Sequence, residues 1–334
     1  MLPKSPKTGT ARAVAVAAVV AMMAGAGAAQ AAPFTVQTVQ FPTDPTFTQL
    51  LGINNAGTIA GYHGAAVNKG FTLTLPSTFT DQNFPGSAQT QVVGINGAGA
   101  TAGFFVDNAG ATNGFTRIGG TFAMVNQPGT AFNQLLGINN TNRAVGYSST
   151  DPGGGTLQKA LAVSNGTFTD VNALLPATNQ NSQATGINDA GAIVGFYLPT
   201  ADTSTGFLDV NGTVSTIDPF GSANTQTLGI SNTGEVVGFY TDAAGVQHGY
   251  TGVGGMFSSF DPAGSTATVI NGVNDLGQIV GFFADANGST IGFVGTPTGT
   301  AVPEPVSAAL LGTGLLGLAW QRRRGGRDGA ERRA

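Results

Sequence analysis

A chain of 334 residues with no cysteine has neither disulfides nor thiolate metal sites to hold it, so its fold must rest on packing and turns. Its net charge of −4 is unevenly spread: positions 32–303 hold thirteen aspartates and Glu235 against only Lys69, Arg117, Arg143 and Lys159. A body of that sign repels phosphate backbones and anionic bilayers, which excludes nucleic-acid binding.

The first segment, residues 1–31, reads as a signal peptide. Lys4, Lys7 and Arg12 precede an alanine-rich apolar stretch, and Ala29 and Ala31 place small residues where signal peptidase cuts, after Ala31. An uncleaved anchor is the alternative.

The body, residues 32–300, is a repeat. Gly52-Ile53-Asn54 recurs at Gly94, Gly137 and Gly186, and in altered form at Gly229-Ile230-Ser231 and Gly272-Val273-Asn274. Successive copies lie 42, 43, 49, 43 and 43 residues apart. Each reads as a four-stranded meander. The first strand ends at the anchor and turns through Asn-x-x-Gly, whose fourth position favours positive φ. Five copies place Gly there and the third places Asn142, the next most tolerant residue. A second hairpin uses Asp-x-x-Gly at Asp107, Asp242 and Asp285. The third strand opens on Gly-aromatic pairs such as Gly114-Phe115, and Asn-Gly or Gly-Gly then closes a two-residue turn into the fourth.

Three hairpins and one longer link per period of about 43 residues describe a propeller blade. The ends complement each other. Phe34 to Phe41 reads as a fourth strand lacking its first three, while the sixth copy stops after Phe293-Val294-Gly295 without a fourth. The expected fold is an all-β, six-bladed propeller in which the N-terminal strand closes the ring. A β-solenoid is the alternative, sharing short strands and glycine turns.

Candidate chemistry in the body is sparse. Gly61, Gly103, Gly146, Gly195, Gly238 and Gly281 sit mid-strand, each before Tyr or Phe. Those aromatics either stack on sugar rings or pack between blades, and their recurrence in every copy favours packing. Asp107, Asp242 and Asp285 are weak calcium candidates, since one carboxylate per turn falls short of the ligands calcium needs. Their turn-opening role accounts for them without a metal, and no other cofactor is implied. His63 and His248 have no sequence-near partner and read as surface or turn residues. Glu235 could pair with an aspartate of another blade as in a glycosidase. No nucleophile elbow, metal-spaced histidine pair or phosphate loop is present, so the expectation is a non-enzymatic protein.

The tail, residues 301–334, is built to stop in a membrane. Pro303-Glu304-Pro305 lies in a motif at 302–305, and an apolar run over 306–320 reads as a short transmembrane helix. Arg322, Arg323 and Arg324 open an arginine-rich end over 321–334. Fifteen helical residues rise about 22 Å against about 30 Å of hydrocarbon, which suits a transient stop better than a permanent anchor. A plain C-terminal anchor is the alternative.

In the order of its motif, apolar helix and arginine cluster, the tail resembles the PEP-CTERM sorting signal. That resemblance implies an exosortase-type membrane protease in a Gram-negative bacterium that makes exopolysaccharide. Transient inner-membrane anchoring, cleavage near Pro303-Glu304-Pro305 and transfer to the outer envelope or extracellular matrix would follow. The body resembles extracellular HAF-repeat proteins: Ile187-Asn188 through Gly195-Phe196 matches their first segment, and His248-Gly249-Tyr250 is the nearest to their His-Ala-Phe tripeptide. This second resemblance implies a secreted β-repeat protein and carries no active site to transfer. Together the readings give an exported surface or matrix protein acting as a structural or interaction propeller. A carbohydrate-binding propeller holding exopolysaccharide on its loops is the second expectation, and a secreted hydrolase the third.

Overall fold

Each repeat folds as four antiparallel strands joined by the turns its sequence dictates. In the computed structural model, which describes residues 34–176 and 181–298, the first unit runs Thr48–Ile53, Thr58–His63, Lys69–Thr74 and Thr78–Asp81, paired in that order. Units led by Gln89–Ile95, Phe132–Ile138, Asn181–Ile187 and Asn224–Ile230 repeat the pattern. A single parallel bridge, Ser204 to Asn224, joins the fourth sheet to the fifth.

The last unit is assembled from both ends of the body. Its strands Ser265–Val273, Ile279–Asp285 and Thr290–Pro297 are followed in the sheet by Phe34–Val39. That strand runs antiparallel to Thr290–Pro297, with Thr38 opposite Phe293 and Phe34 opposite Pro297. An edge strand left open would invite pairing with another chain, and this pairing covers one.

The turn chemistry is as read from the sequence. Asn142 holds φ 60° where the other five copies have Gly, and the Gly119-Gly120, Asn165-Gly166, Asn211-Gly212 and Gly254-Gly255 turns carry positive φ at both residues. The anchor asparagines are buried and do two jobs. Asn54 Oδ1 accepts the backbone N–H groups of Ala56 (3.1 Å) and Thr58 (2.9 Å), fixing its own turn. Its Nδ2 donates to the Asn96 carbonyl of the next unit at 2.9 Å. Asn96, Asn139 and Asn188 repeat the outward bond to Asn139, Asn188 and Ser231.

The anchor glycines stand shoulder to shoulder. A Cβ on Gly94 would lie 2.9 Å from Gly137 Cα, one on Gly186 3.2 Å from Gly229 Cα, and one on Gly272 3.1 Å from Gly52 Cα. Backbones approaching that closely leave no room for a side chain, which is why the anchor begins with glycine. The contacts pass through all six units and return to the first. Between units the core is filled by Phe71, Phe115, Phe207, Tyr250 and Phe293, all fully buried, with Leu161 in the third unit. Burying each such ring is worth about 1.5–3 kcal/mol.

Among the described residues no helix is long and apolar enough to cross a membrane. The signal peptide, the apolar tail helix and the arginine cluster expected from the sequence lie outside the described residues, as do positions 177–180 of the enlarged third repeat.

Candidate functional site

The innermost strand of every unit carries the same irregularity. Its pairing slips between Leu50 and Gly52, Val92 and Gly94, Leu135 and Gly137, and at the corresponding place in the other three units. A bulge re-aims the extra residue. Here the extra residues are Leu51, Val93, Leu136, Thr185, Leu228 and Asn271, and all six line one cavity of about 290 Å³ to which every unit contributes.

One end of that cavity is a rim of amides and rings. Gln49, Gln91, Gln134, Gln183 and Gln226 lie three residues before their anchor glycines and stand directly across from Tyr62, Phe104, Tyr147, Phe196 and Phe239. In the sixth unit Val269 faces Phe282 instead. Cross-strand neighbours of this kind are in contact range. Tyr62 donates its hydroxyl to Gln49 Oε1 at 2.8 Å, and burial pushes its phenol up to about 12. Gln91 donates to Asn68 Oδ1 (2.7 Å) and Gln183 to Gln158 Oε1 (2.9 Å). All five glutamines are half-buried and bear no charge.

The opposite end is bordered by an open chain of hydrogen bonds. The Asn140 backbone N–H donates to Asp189 Oδ1, the Asp189 N–H to Asn232 Oδ1, the Asn232 N–H to Asp275 Oδ1 and the Asp275 N–H to Asn55 Oδ1, at 2.7–2.9 Å. Gly97, which has no side chain, interrupts the circle. Burial opposes ionisation of Asp275, but the amides of Asn55 and Asn232 outweigh it and hold its carboxyl below the ordinary range.

The mid-strand glycines admit a neighbouring backbone, and in five units a core ring as well. A Cβ on Gly103 would overlap the Gln91 carbonyl and lie 2.9 Å from the Phe115 ring. Gly61, Gly195, Gly238 and Gly281 face Phe71, Phe207, Tyr250 and Phe293 in the same way. The glycine therefore makes room for the third-strand ring. The aromatic that follows it is freed for the cavity in three units, where Tyr62, Phe104 and Phe196 line the wall.

The candidate calcium residues stay apart, each in its own turn. Asp107 Oδ1 accepts from Ala109 and Ala111, Asp242 Oδ1 from Ala244 and Val246, and Asp285 Oδ1 from Asn287 and Ser289, at 2.8–2.9 Å. Among the described residues no group of three or more histidines and carboxylates could hold a metal ion. Among the described residues Glu235 joins no acidic cluster, and burial raises its carboxyl to about 7.

Both histidines have partners that the sequence did not show, although His248 keeps the partly exposed position beside a turn that was expected of it. His63 is largely buried and stacks on Phe41, with ring centres 3.6 Å apart. His248 is held between two carboxylates, its Nδ1 2.6 Å from Asp261 Oδ2 and its Nε2 3.3 Å from Asp242 Oδ2. The Asp261 hydrogen bond raises the imidazole pKa most, with smaller help from Asp242. Thirteen residues separate His248 from Asp261, and only the hairpin brings them together.

Residues 301–324 match the PEP-CTERM protein-sorting motif. The match takes in Pro303, Glu304, Pro305 and Arg322 to Arg324, and the motif implies export, recognition by an exosortase and transient membrane anchoring through the C-terminal region. No curated protein matches the chain. Among solved structures it is similar to AofleA from Arthrobotrys oligospora, at 8% identity and a TM-score of 0.48 over 78% of this chain and 86% of the other. It is similar to the lectin of Aleuria aurantia in complex with Fucalpha1-6GlcNAc, at 14% identity and 0.47 over 78% and 100%. A third likeness is to Trypanosoma rangeli sialidase, at 7% identity and 0.42 over 75% and 54%.

Proposed function

We propose that the chain is an exported, non-enzymatic protein of the cell surface or extracellular matrix whose body, residues 32–300, is a six-bladed β-propeller of HAF-type repeats. Signal peptidase removes residues 1–31, and an exosortase-type protease processes the tail over 301–334. The propeller then acts as a structural or interaction module in an exopolysaccharide matrix. The observation that carries this reading is the sorting motif placed directly behind a body whose first and last strands share one sheet. Such a body leaves the sheet as a finished unit once both terminal segments are gone. The carboxylates of Asp107, Asp242 and Asp285 each accept from their own turn, Asp242 also reaching His248, and this supports a structural role over a hydrolytic one.

The test is to delete Val302 to Ala334 and fractionate the producing cells. The intact chain is expected with the envelope and then the matrix, and the truncated chain is expected free in the soluble exported fraction. Unchanged envelope association of the truncated chain overturns the reading.

A further inference from the structure

The fold leaves two amides unpaired at the glutamine-lined mouth, beside two aromatic rings that line it. Gln134 and Gln226 line the cavity, and their side-chain amides have no hydrogen-bond partner among the described residues. Phe104 and Phe196 line the same wall, Phe104 half-buried and Phe196 only 6% exposed. These four residues come from the second to fifth units in turn, Phe104, Gln134, Phe196 and Gln226, with the hydrogen-bonded Gln91 and Gln183 across from the two rings. The turn and core roles that explain the other repeated residues do not explain the two unpaired amides.

A pyranose matches that pattern on both counts. Its C–H face is apolar and packs on an aromatic ring, while its equatorial hydroxyls donate and accept, as a glutamine amide does from its own two ends. The cavity, about 290 Å³, is at the small end of the range that encloses small molecules, enough for one sugar unit rather than a long chain. None of the lining side chains carries a charge, and the surrounding body is acidic, so an anionic sugar has no partner there. We infer that this mouth binds a neutral saccharide unit, with Phe104 and Phe196 against its C–H face and Gln134 and Gln226 on its hydroxyls. The inference rests on the proposed function for the source of the sugar, a matrix polysaccharide, and on the cavity alone for the site.

The full-length protein, purified in detergent, is titrated with a panel of neutral hexose oligosaccharides and with polyglucuronate. At least one neutral oligosaccharide is expected to bind and polyglucuronate is not. The paired change Gln134→Leu and Gln226→Leu is expected to weaken binding at least tenfold with an unchanged melting temperature, and Phe104→Ala to do the same. In the parent protein the side-chain amide resonances of Gln134 and Gln226 shift on sugar addition, a readout that does not depend on a variant folding. Absence of binding to every neutral oligosaccharide, equal binding by the glutamine pair variant, or unmoved amide resonances each overturn the inference. A tail-deleted chain that still binds sugar separates this site from the sorting reading, since the two can fail independently.

Discussion

Asn274 donates its side-chain amide to the backbone carbonyl of Asn54 at 3.1 Å, across 220 residues of chain. The same bond links each anchor to the next, except at Ser231, whose short hydroxyl turns back to Thr233 at 2.8 Å. The circuit of six units is thus closed by five amide bonds and has one gap. Asn274→Ala removes that bond and the two turn bonds from Leu276 and Gln278, leaving buried groups unpaired. The expected loss is about 2–3 kcal/mol, read by urea denaturation. Ser231→Asn completes the circuit and is expected to add about 1 kcal/mol. A Ser231→Asn protein no more stable than its parent would show that the bonds are incidental to closure.

The mid-strand glycines are not interchangeable with the turn glycines. A Cβ on Gly103 meets the Gln91 carbonyl and the fully buried Phe115 ring, whereas nothing lies within 4 Å of a Cβ on Gly99, whose φ is +78°. Gly103→Ala must displace a core ring, with an expected cost of about 3 kcal/mol or more. Gly99→Ala meets only backbone strain, about 1 kcal/mol. Denaturation midpoints for the two variants check the order, and a larger loss at Gly99 would refute it.

These contrasts mark what a repeat discloses before its structure is known. Turn positions are legible because φ > 0 admits few residues, and Asn142 betrays the requirement by being the one exception. Complementary chain ends are legible because a missing strand is countable, and Phe34–Val39 pairs as counted. The glutamine rim was also written at a fixed place, three residues before five of the six anchor glycines. Its direction was hidden by the bulge at Leu51 and its counterparts, because alternation across a strand fails at an extra residue. The pairing of His248 with Asp261 was invisible for another reason: it depends on the register of a hairpin, which composition does not encode.

Glu235 gives the body a pH dependence of known sign. Burial raises its carboxyl to about 7 in the folded protein, above the ordinary value of 4.5. The folded state therefore holds this proton more tightly than the unfolded chain does. Its contribution to stability is greatest below pH 4.5 and is lost as pH rises toward about 7, where the folded carboxyl ionises at last. The shift alone corresponds to about 3 kcal/mol, and partial exposure of the side chain brings the expected effect nearer to 1 kcal/mol. Glu235→Gln is expected to match the parent at pH 4 and exceed it at pH 8. Identical urea midpoints at pH 8 would mean that the carboxyl is solvated after all.

His248 acts in the same direction through a different cause. The short bond to Asp261, and then the longer one to Asp242, favour the imidazolium, so its pKa stands above 6.5 in the folded protein. That contribution is complete below pH 6.5 and disappears as pH rises through the folded value. The carboxyl partners set the size of the effect by distance, 2.6 Å against 3.3 Å. Asp261→Asn is therefore expected to bring the His248 titration back toward 6.5 further than Asp242→Asn does. With only two histidines in the chain, imidazole proton resonances followed from pH 5 to 9 resolve both variants. The reverse order of the two shifts would place the controlling charge at Asp242, in the turn that also binds the Ala244 and Val246 N–H groups, and would disprove the assignment to Asp261.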